Sequence, residues 1–485
     1  MSIFQMKGLR KFTPIWLLLI DNSDSISYNS NHVTKLSLYR AKAKRQSVIS
    51  GGKGVFMNHQ LLHTPEGVRD IYGSECARKL AVQEKILQVF RLYGYEAIET
   101  PVFEYFDIFS KERGSVRAQE MYKFFDRDNN TLVLRPDMTP SIARCAAKYF
   151  MEEENPIRLC YVGPSFINSS SYQGRLKEAT QTGVELIGDD TCQGDAEMIA
   201  MVIQSLKEAG LTEFQVELGQ VEFYRSLTEE VGMDEETREK LRILIENKNY
   251  FGVEELLSEQ IMTPEQKQLF LKLPELFGDI DQIRAVRCMT SNPRALQAID
   301  RLERVQELVD AYGLGDYVSY DLGMLSKYSY YTGIIFKAYT YGTGEYIVTG
   351  GRYDRLLEQF GKKAPAVGFA IVVDQLMLAL SRQKIQIPVS SVCTALVYEP
   401  EMAMEAIPMA CSLRSQGETL QMVCRKEGKP VEAYEEWAAA QGIGRLLFLS
   451  VEEKDVLEVN LETGQRKSLT RRELILAEKK EVAQP

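Results

Sequence analysis

The stretch from residue 317 to residue 380 constrains the fold more than any other part of the chain. YVSYDLG, YYTGIIFKAYTYG and EYIVTGG each alternate in the manner of strands, with turn residues between them. GFAIVVDQLMLAL (368–380) then reads as a strand that continues into a helix. Neighbouring strands joined by hairpins pair antiparallel. The sequence therefore predicts an antiparallel sheet that ends in a helix.

The segments before this stretch add helices and strands in a non-repeating order. Local periodicity and turn residues predict a helix from Ser74 to Gly94, a strand at 95–101, hairpins at 123–139 and 163–185, a helix from Asp195 to Ala209 and a strand at 214–218. Residues 226–315 are dominated by charged helical segments such as DEETREKLRILIENK. This region is interpreted as a helical insertion.

A short linker, IPVS (387–390), separates the sheet from a final alternation of strands and helices. We therefore predict an α+β fold with a core at 57–386, which contains the insertion at about 226–315, and a small α/β domain at 388–485. The second domain contains 12 Lys/Arg and 16 Asp/Glu residues, without the basic excess that phosphate contacts require. Nucleic-acid binding is therefore not expected of it.

Composition excludes several kinds of chemistry. Eight cysteines are scattered through 485 residues without a CxxC pair, so no structural metal is expected and the cytoplasm is the predicted location. All three histidines, His32, His59 and His63, lie in the first 63 residues. Acid–base catalysis by histidine is therefore excluded for the remainder of the chain.

Residues 1–56 differ from the rest in charge. They contain nine Lys/Arg and two Asp/Glu residues, whereas the whole chain has a net charge of -10. IWLLLI (15–20) is too short for a signal-peptide core or a membrane span. We interpret this segment either as a disordered extension or as the result of a misassigned start, with Met57 as the real first residue.

No single motif is strong, but an ordered series of matches resembles one family. The series is TPEGVRDIYGSE, YEAIETPVFEYFDIF, LVLRPDMTPSIAR, YVGPSF with QTGVELIG, SYYTGIIF, GGRYD and GFAIVVDQL. In this order, over residues 64 to 380, it resembles the class II core of histidyl-tRNA synthetase. The resemblance implies a class II synthetase-like antiparallel sheet with flanking helices, and an anticodon-binding-like domain at 388–485.

Three positions that hold arginine in these synthetases are neutral here. The second motif of the synthetases ends in Phe-Arg, and this chain has Phe166 and Ile167. Their third motif ends in Glu-Arg, which reads Asp374 and Gln375 here, and their histidine-specific segment begins with an arginine where this chain has Ser326. Loss of one preorganised donor costs about 100- to 1,000-fold in rate. Formation of an aminoacyl-adenylate is therefore not expected.

The amino-acid half of the same site is present by resemblance. It implies a histidine pocket of Asp137, Thr139, Gln181, Glu185, Tyr330, Tyr331 and Tyr353. Carboxylates suit an α-ammonium group, and hydrogen-bonding groups suit an imidazole. Gln181 and Glu185 are four residues apart and would share one face of a strand. The 163–185 hairpin would then serve as a scaffold for them.

A synthetase-like chain with this pocket and without the arginines resembles the regulatory subunits of ATP phosphoribosyltransferase. That family implies a short-form catalytic partner, histidine as the effector, and a dimer within a hetero-oligomer. It implies no cofactor, no catalytic residue in this chain, no metal and no membrane. The partner enzyme carries out the first step of histidine biosynthesis, and histidine inhibits it.

Other interpretations remain open at this stage. The chain could be an active histidyl-tRNA synthetase, or another synthetase-like amino-acid sensor or transferase. Arg175 and Arg352 are possible contacts for a phosphate or another ligand, but they and Lys327 could equally be surface charges. Asp137 could be a turn residue, and paired tyrosines in strands more often pack than bind ligands.

Overall fold

The protein is described here by a computed structural model that covers residues 62–110, 116–169, 176–325, 330–388 and 393–471. Its α-helices are α1 (Gly73–Leu92), α2 (Thr139–Tyr149), α3 (Cys192–Glu208), α4 (Val221–Val231), α5 (Glu235–Glu246), α6 (Tyr250–Ser258), α7 (Pro264–Lys272), α8 (Ile280–Ala285), α9 (Pro293–Ala311), α10 (Val373–Arg382), α11 (Ala403–Ser415) and α12 (Glu432–Ala440). All of them lie in the compact unit that begins at Thr64.

The strands alternate with these helices along the chain. They are β1 (Glu96–Ala97), β2 (Phe103–Tyr105), β3 (Lys123–Phe125), β4 (Thr131–Leu134), β5 (Ile157–Phe166), β6 (Glu178–Ile187), β7 (Phe214–Gln220), β8 (Phe277–Gly278), β9 (Val318–Asp321), β10 (Ile334–Thr340), β11 (Val348–Arg352), β12 (Ala366–Val372), β13 (Thr394–Tyr398), β14 (Leu420–Cys424), β15 (Arg445–Leu449), β16 (Val456–Asn460) and β17 (Arg466–Leu469).

Nine strands form the main sheet, in the order β1-β5-β6-β12-β11-β10-β7-β9-β8. The pairs from β5 to β7 are antiparallel, which confirms the predicted architecture. β9 differs from the simple hairpin prediction, because it pairs in parallel with β7 and lies away from β10. β1 also pairs in parallel, with β5.

Helices α1 and α3 cover one face of this sheet. In α1 the buried residues Val82, Ile86 and Phe90 recur at helical spacing and join the largest apolar core. Phe90 meets Phe369 of β12 edge to face, with ring centroids 5.7 Å apart. A fully buried side chain of this size contributes about 1.5–3 kcal/mol. The opposite face is therefore the one available for a site.

Helices fill residues 221–311, close to the predicted insertion. Their N-termini are capped by side chains, because the first backbone N–H groups of a helix lack internal partners. Asp234 caps α5, and Thr263 forms a capping box with Gln266 at the start of α7. The short strand β8 joins this region to the sheet by pairing with β9.

A separate three-stranded sheet has the order β2-β4-β3, and the predicted hairpin at 123–139 is its β3–β4 pair. Val133 is fully buried on one side of this sheet. On its other side Phe103, Tyr105 and Phe124 are 53%, 58% and 37% exposed. An apolar surface of this kind is a common feature of protein interfaces.

The C-terminal strands form a five-stranded sheet in the order β14-β13-β15-β16-β17. Its first three strands are parallel and alternate with α11 and α12, as the sequence predicts. The antiparallel hairpin of β16 and β17 was missed, because its polar strand RKSL lacks an apolar periodicity. The predicted small α/β domain is confirmed as part of the fold class.

Two local predictions were wrong. Helix α1 begins at Gly73, one residue before the predicted cap Ser74, and its N-cap Tyr72 makes no side-chain cap bond. The strand predicted at 95–101 is only two residues long. Pro101 has no N–H for a strand ladder, and the carbonyl of Thr100 accepts a hydrogen bond from Arg135 instead.

Within the residues that the structure describes, no helix combines the length and apolar character needed to cross a bilayer. The same part of the chain contains no cluster of three or more His, Cys, Asp or Glu side chains that could hold a metal ion. All eight cysteines are free thiols.

Candidate functional site

Strands β5, β6 and β12 form the floor of the candidate site. Successive strand residues point to opposite faces, so Gln181, Gly183 and Glu185 of β6 share one face. The register places Tyr161 of β5 beside Gly183, and Gly368 of β12 beside Glu185. The shared face predicted for Gln181 and Glu185 is therefore present.

Glu185 lies at the centre of this face and is only 1% exposed. One carboxylate oxygen accepts a hydrogen bond from Oγ1 of Thr139 at 2.8 Å, and the other accepts from the hydroxyl of Tyr353. Burial raises the pKa of Glu185 to about 8, against the lowering effect of these two hydrogen bonds. Glu185 is thus a buried acid whose hydrogen-bond partners are neutral.

Asp137 lies next to this group, immediately before helix α2. Its Oδ2 accepts a hydrogen bond from the hydroxyl of Tyr330 at 3.2 Å, and its Oδ1 accepts from the backbone N–H of Thr139 at 3.4 Å. The bond to Thr139 is the contact expected of a turn residue. The bond to Tyr330 joins Asp137 to the predicted pocket residues.

Three tyrosines form the wall of the site and are all buried. The ring centroids of Tyr330 and Tyr331 are 4.9 Å apart, and those of Tyr330 and Tyr353 are 6.0 Å apart. Burial raises the pKa of the Tyr331 and Tyr353 hydroxyls, so both remain protonated hydrogen-bond donors near neutral pH. From helix α4, Arg225 donates to the carbonyl of Tyr331 at 3.1 Å.

Two glycines make room for these side chains. A β-carbon at Gly368 would lie 1.8 Å from Oε2 of Glu185, and one at Gly351 would lie 2.8 Å from Cε1 of Tyr331. Both distances are below a van der Waals contact. The acid and the tyrosine can therefore lie flat on the sheet only where the strand beneath carries glycine.

Two polar atoms of the site are buried and have no hydrogen-bond partner, Oε1 of Gln181 and the hydroxyl of Tyr161. Such atoms are rare in folded proteins. Gln181 belongs to the predicted pocket, whereas sequence reasoning missed Tyr161. The sequence contained a signal for Tyr161, because the hairpin prediction places YVG of β5 opposite QTG of β6. A tyrosine in a strand is usually a packing residue, however.

Arg352, a predicted ligand contact, is instead used inside the protein. It is 2% exposed and donates to Oδ1 of Asp195 from Nε at 2.9 Å and from Nη2 at 2.7 Å. Its remaining bonds go to the carbonyls of Asp189 and Thr191 and to Asp354. All of its N–H directions are taken. Arg352 thus joins the sheet to the start of α3, and no donor is left for a ligand.

The region that corresponds to the nucleotide half offers no guanidinium at two of the three positions. Ile167 is half-buried, and its N–H donates to the carbonyl of Lys177 at 2.9 Å. Asp374 forms an ion pair with Lys79 at 2.8 Å, and Gln375 follows it at the start of α10. Arg175, Ser326 and Lys327 lie outside the described residues.

The chain is similar to known proteins over most of its length. A family model described as histidyl-tRNA synthetase matches residues 67–376. A protein of Acetivibrio thermocellus named ATP phosphoribosyltransferase regulatory subunit is 41% identical, over 86% of this chain and 99% of that protein. A protein of Ruminiclostridium cellulolyticum with the same name is 39% identical, over 82% of this chain and 94% of its own length.

Solved structures give the same fold. A crystal structure from Bacillus halodurans, described as an ATP phosphoribosyltransferase regulatory subunit/histidyl-tRNA synthetase, has a TM-score of 0.71 at 31% identity and covers 80% of this chain and 98% of that one. Histidyl-tRNA synthetase from Nostoc sp. PCC 7120 also has a TM-score of 0.71, at 19% identity over 86% of this chain and 98% of its own, and it supports the fold alone. The chain therefore belongs to the family of ATP phosphoribosyltransferase regulatory subunits, which share the histidyl-tRNA synthetase-like fold.

Proposed function

We propose that the chain is a non-catalytic subunit that senses histidine and controls a short-form catalytic ATP phosphoribosyltransferase, a glycosyltransferase, in the cytoplasm. One observation carries the proposal. Glu185 is buried with two hydroxyl partners and no ion pair among the described residues. Its carboxylate oxygens can therefore accept further hydrogen bonds from a cationic or hydrogen-bonding ligand. Buried carboxylates without such compensation are costly.

The chemistry of the pocket suits an amino acid with an imidazole side chain. Asp137 and Glu185 offer carboxylate oxygens to an α-ammonium group and to an imidazole N–H. Tyr330 and Tyr353 supply hydroxyls next to aromatic rings that would pack on a planar ligand. Water is largely excluded, which strengthens each of these interactions.

The nucleotide half supports a regulatory rather than a catalytic role. Attack on the α-phosphate of ATP requires cations placed at the phosphate oxygens. Ile167 and Gln375 supply none, and the nearby Lys79 is held by Asp374 and by Oγ1 of Thr180 at 2.8 Å. A chain of this composition would bind histidine without activating it.

Histidine would regulate by favouring one of two conformations of the assembled enzyme. A ligand shifts such an equilibrium only by the difference in its affinities for the two states. The pocket joins residues from β6, the start of α2 and the segment before β10, so occupancy would change the relative position of these elements. The catalytic subunit would respond through the surfaces that it shares with them.

Self-association as a dimer within the hetero-oligomer is part of the proposal. The small sheet exposes Phe103, Tyr105 and Phe124, and helix α1 exposes Leu80 and Leu92 at 59% and 81%. Apolar side chains exposed to this degree on two elements favour burial against another subunit. The family resemblance implies that the first-motif helix takes part in this contact.

The test is an assay of phosphoribosyl transfer from phosphoribosyl pyrophosphate to ATP. We expect the short catalytic subunit to be active only when this chain is present, and L-histidine to inhibit the pair. Glu185→Gln should abolish the inhibition, whereas Glu178→Gln, on an exposed residue of the same strand, should leave it unchanged. Activity without this chain, or identical inhibition of both variants, would contradict the proposal.

The alternative of an active synthetase has its own measurement. Histidine-dependent exchange of pyrophosphate into ATP by the purified chain should be absent if the nucleotide half is inactive. Robust exchange would favour the synthetase. Histidine binding without any effect on a phosphoribosyltransferase would instead favour another amino-acid sensor of the same fold.

A further inference from the structure

A zwitterionic ligand presents a carboxylate as well as an ammonium group, and the pocket described above is dominated by acids. Asp137 would repel a carboxylate placed beside it, and so would Glu185 when ionised. In the resembled synthetases an arginine serves this group, at the position of Ser326 in this chain. A different donor set is therefore needed if an amino acid binds here.

Arg135 is a cation that reaches this face of the sheet. Its side chain is 3% exposed in total, with Nε donating to the carbonyl of Pro164 at 2.8 Å and Nη1 to the carbonyl of Thr100 at 2.7 Å. Its Nη2 makes no hydrogen bond to any described residue. It lies 2.3 Å from where a β-carbon of Gly163 would be, so it rests directly on the sheet.

Tyr161 presents a second donor on the same face. Its hydroxyl is buried without a partner and lies 2.6 Å from where a β-carbon of Gly183 would be. Burial raises its pKa well above the ordinary value, so the hydroxyl keeps its proton. The charged groups that act on its pKa are Glu185 and Asp137, which raise it, and Arg135, which lowers it.

The strand register puts these groups side by side. Tyr161 pairs with Gly183, and Gly163, beneath Arg135, pairs with Gln181. The two positions are two residues apart on one face of β5, a separation of about 7 Å. The unpaired Oε1 of Gln181 lies at the same end of the site. Two free donors and one free acceptor thus lie on the sheet face that carries the buried acids.

We infer that the Tyr161 hydroxyl and the Arg135 guanidinium form the subsite for the carboxylate of the amino-acid ligand, with Oε1 of Gln181 accepting from its ammonium group. The inference rests on the proposed function, because it assumes that the ligand is an amino acid. It assigns a partner to each of the free polar atoms. It also explains how a carboxylate can be held without an arginine at position 326.

The test compares L-histidine with histamine, which lacks the carboxylate, by calorimetric titration of the full-length chain. We expect Tyr161→Phe to weaken histidine binding at least tenfold and to leave histamine binding unchanged. The apo variant should be at least as thermally stable as the wild type, because the hydroxyl that is removed has no partner in the folded chain. Arg135→Lys should lower the affinity for histidine in the same selective way.

Tyr330→Phe is the matched control, since its hydroxyl serves Asp137 on the ammonium side. This variant should weaken the binding of histidine and of histamine by the same factor. Wild-type affinity for histidine in Tyr161→Phe, or equal losses for both ligands, would overturn the carboxylate subsite while leaving the proposed function intact. Failure of the wild type to bind histidine at all would overturn both.

Discussion

Glu185 and Asp195 are both buried carboxylates, at 1% and 0% exposure, but their surroundings differ in kind. Asp195 lies in the first turn of α3 between two arginines, Arg352 at 2.7 Å and Arg301 at 2.6 Å. Among the described residues, Glu185 has only the hydroxyls of Thr139 and Tyr353 as side-chain partners. The first carboxylate is neutralised by the fold. We propose that a ligand completes the second.

The comparison separates structure from function among residues of similar burial. Arg301 comes from the insertion and Arg352 from the sheet, so Asp195 joins three parts of the core. The partners of Glu185 come from the pocket itself. A buried acid with its own cations therefore indicates a structural role, and one without them indicates a binding role.

The largest effect is expected from Asp195→Ala, which leaves Arg352 and Arg301 without their shared partner. Loss of one member of a buried ion pair costs about 3–5 kcal/mol, and the free energy of unfolding in urea measures it. The exposed Asp190→Ala, five residues away, should change little. A loss below about 1 kcal/mol for Asp195→Ala would mean that the arginines are compensated elsewhere.

Glu185→Gln should instead raise the free energy of unfolding, and the size of this gain should depend on pH. The folded-state pKa of Glu185 is raised from 4.5 to about 8, so its stabilising contribution is complete below 4.5 and lost as the pH rises to 8. The glutamine variant should gain about 1 kcal/mol on the wild type for each pH unit in this window. Thermal melts from pH 5 to pH 9 would show it, and parallel curves would contradict the assigned pKa.

Lys79→Met tests Asp374, a carboxylate that has one cation as a partner, whereas Asp195 has two and Glu185 has none among the described residues. Asp374 has one lysine partner, in a part-buried ion pair, and also accepts from the backbone N–H of Thr180 at 2.7 Å. We expect a loss of about 1–3 kcal/mol in urea unfolding, because the carboxylate keeps one hydrogen bond. Lys85→Met on the same helix is the control, because Nζ of Lys85 donates to the carbonyl of Glu208 and has no ion pair among the described residues. Equal effects would show that this pair is no more than a surface contact.

Tyr353→Phe should give the smallest change in stability. It removes one of the two hydroxyls on Glu185, at a cost of about 1 kcal/mol. The pKa of Glu185 should rise further, because that hydrogen bond favours the charged form. The pH dependence of the melting temperature, compared with that of Glu185→Gln, reports this shift. An unchanged profile would mean that Tyr353 packs without stabilising the carboxylate.

Sequence reasoning located the main elements and named residues that the structure places together around Glu185. The alternation in β6 was sufficient for the shared face of Gln181 and Glu185, and the resemblance added Asp137, Thr139 and the tyrosines. It could not tell which arginine was free, because the partner of Arg352 lies 157 residues away in Asp195. Arg135 and Tyr161 were not predicted as site residues for the same reason, since hydrogen-bond satisfaction is a property of the folded chain.

Thr180 and Gln181 are adjacent in strand β6, and this adjacency couples the pocket to the helices that pack on the sheet. Gln181 points into the pocket, while its neighbour Thr180 is fastened by the side chain of Lys79 to the long outer helix α1 and by its amide to the start of α10. A strand transmits displacement along its length because its backbone bonds are stiff. Movement of Gln181 would therefore displace Thr180 and, through the bond from Lys79, helix α1, whose far side faces outward.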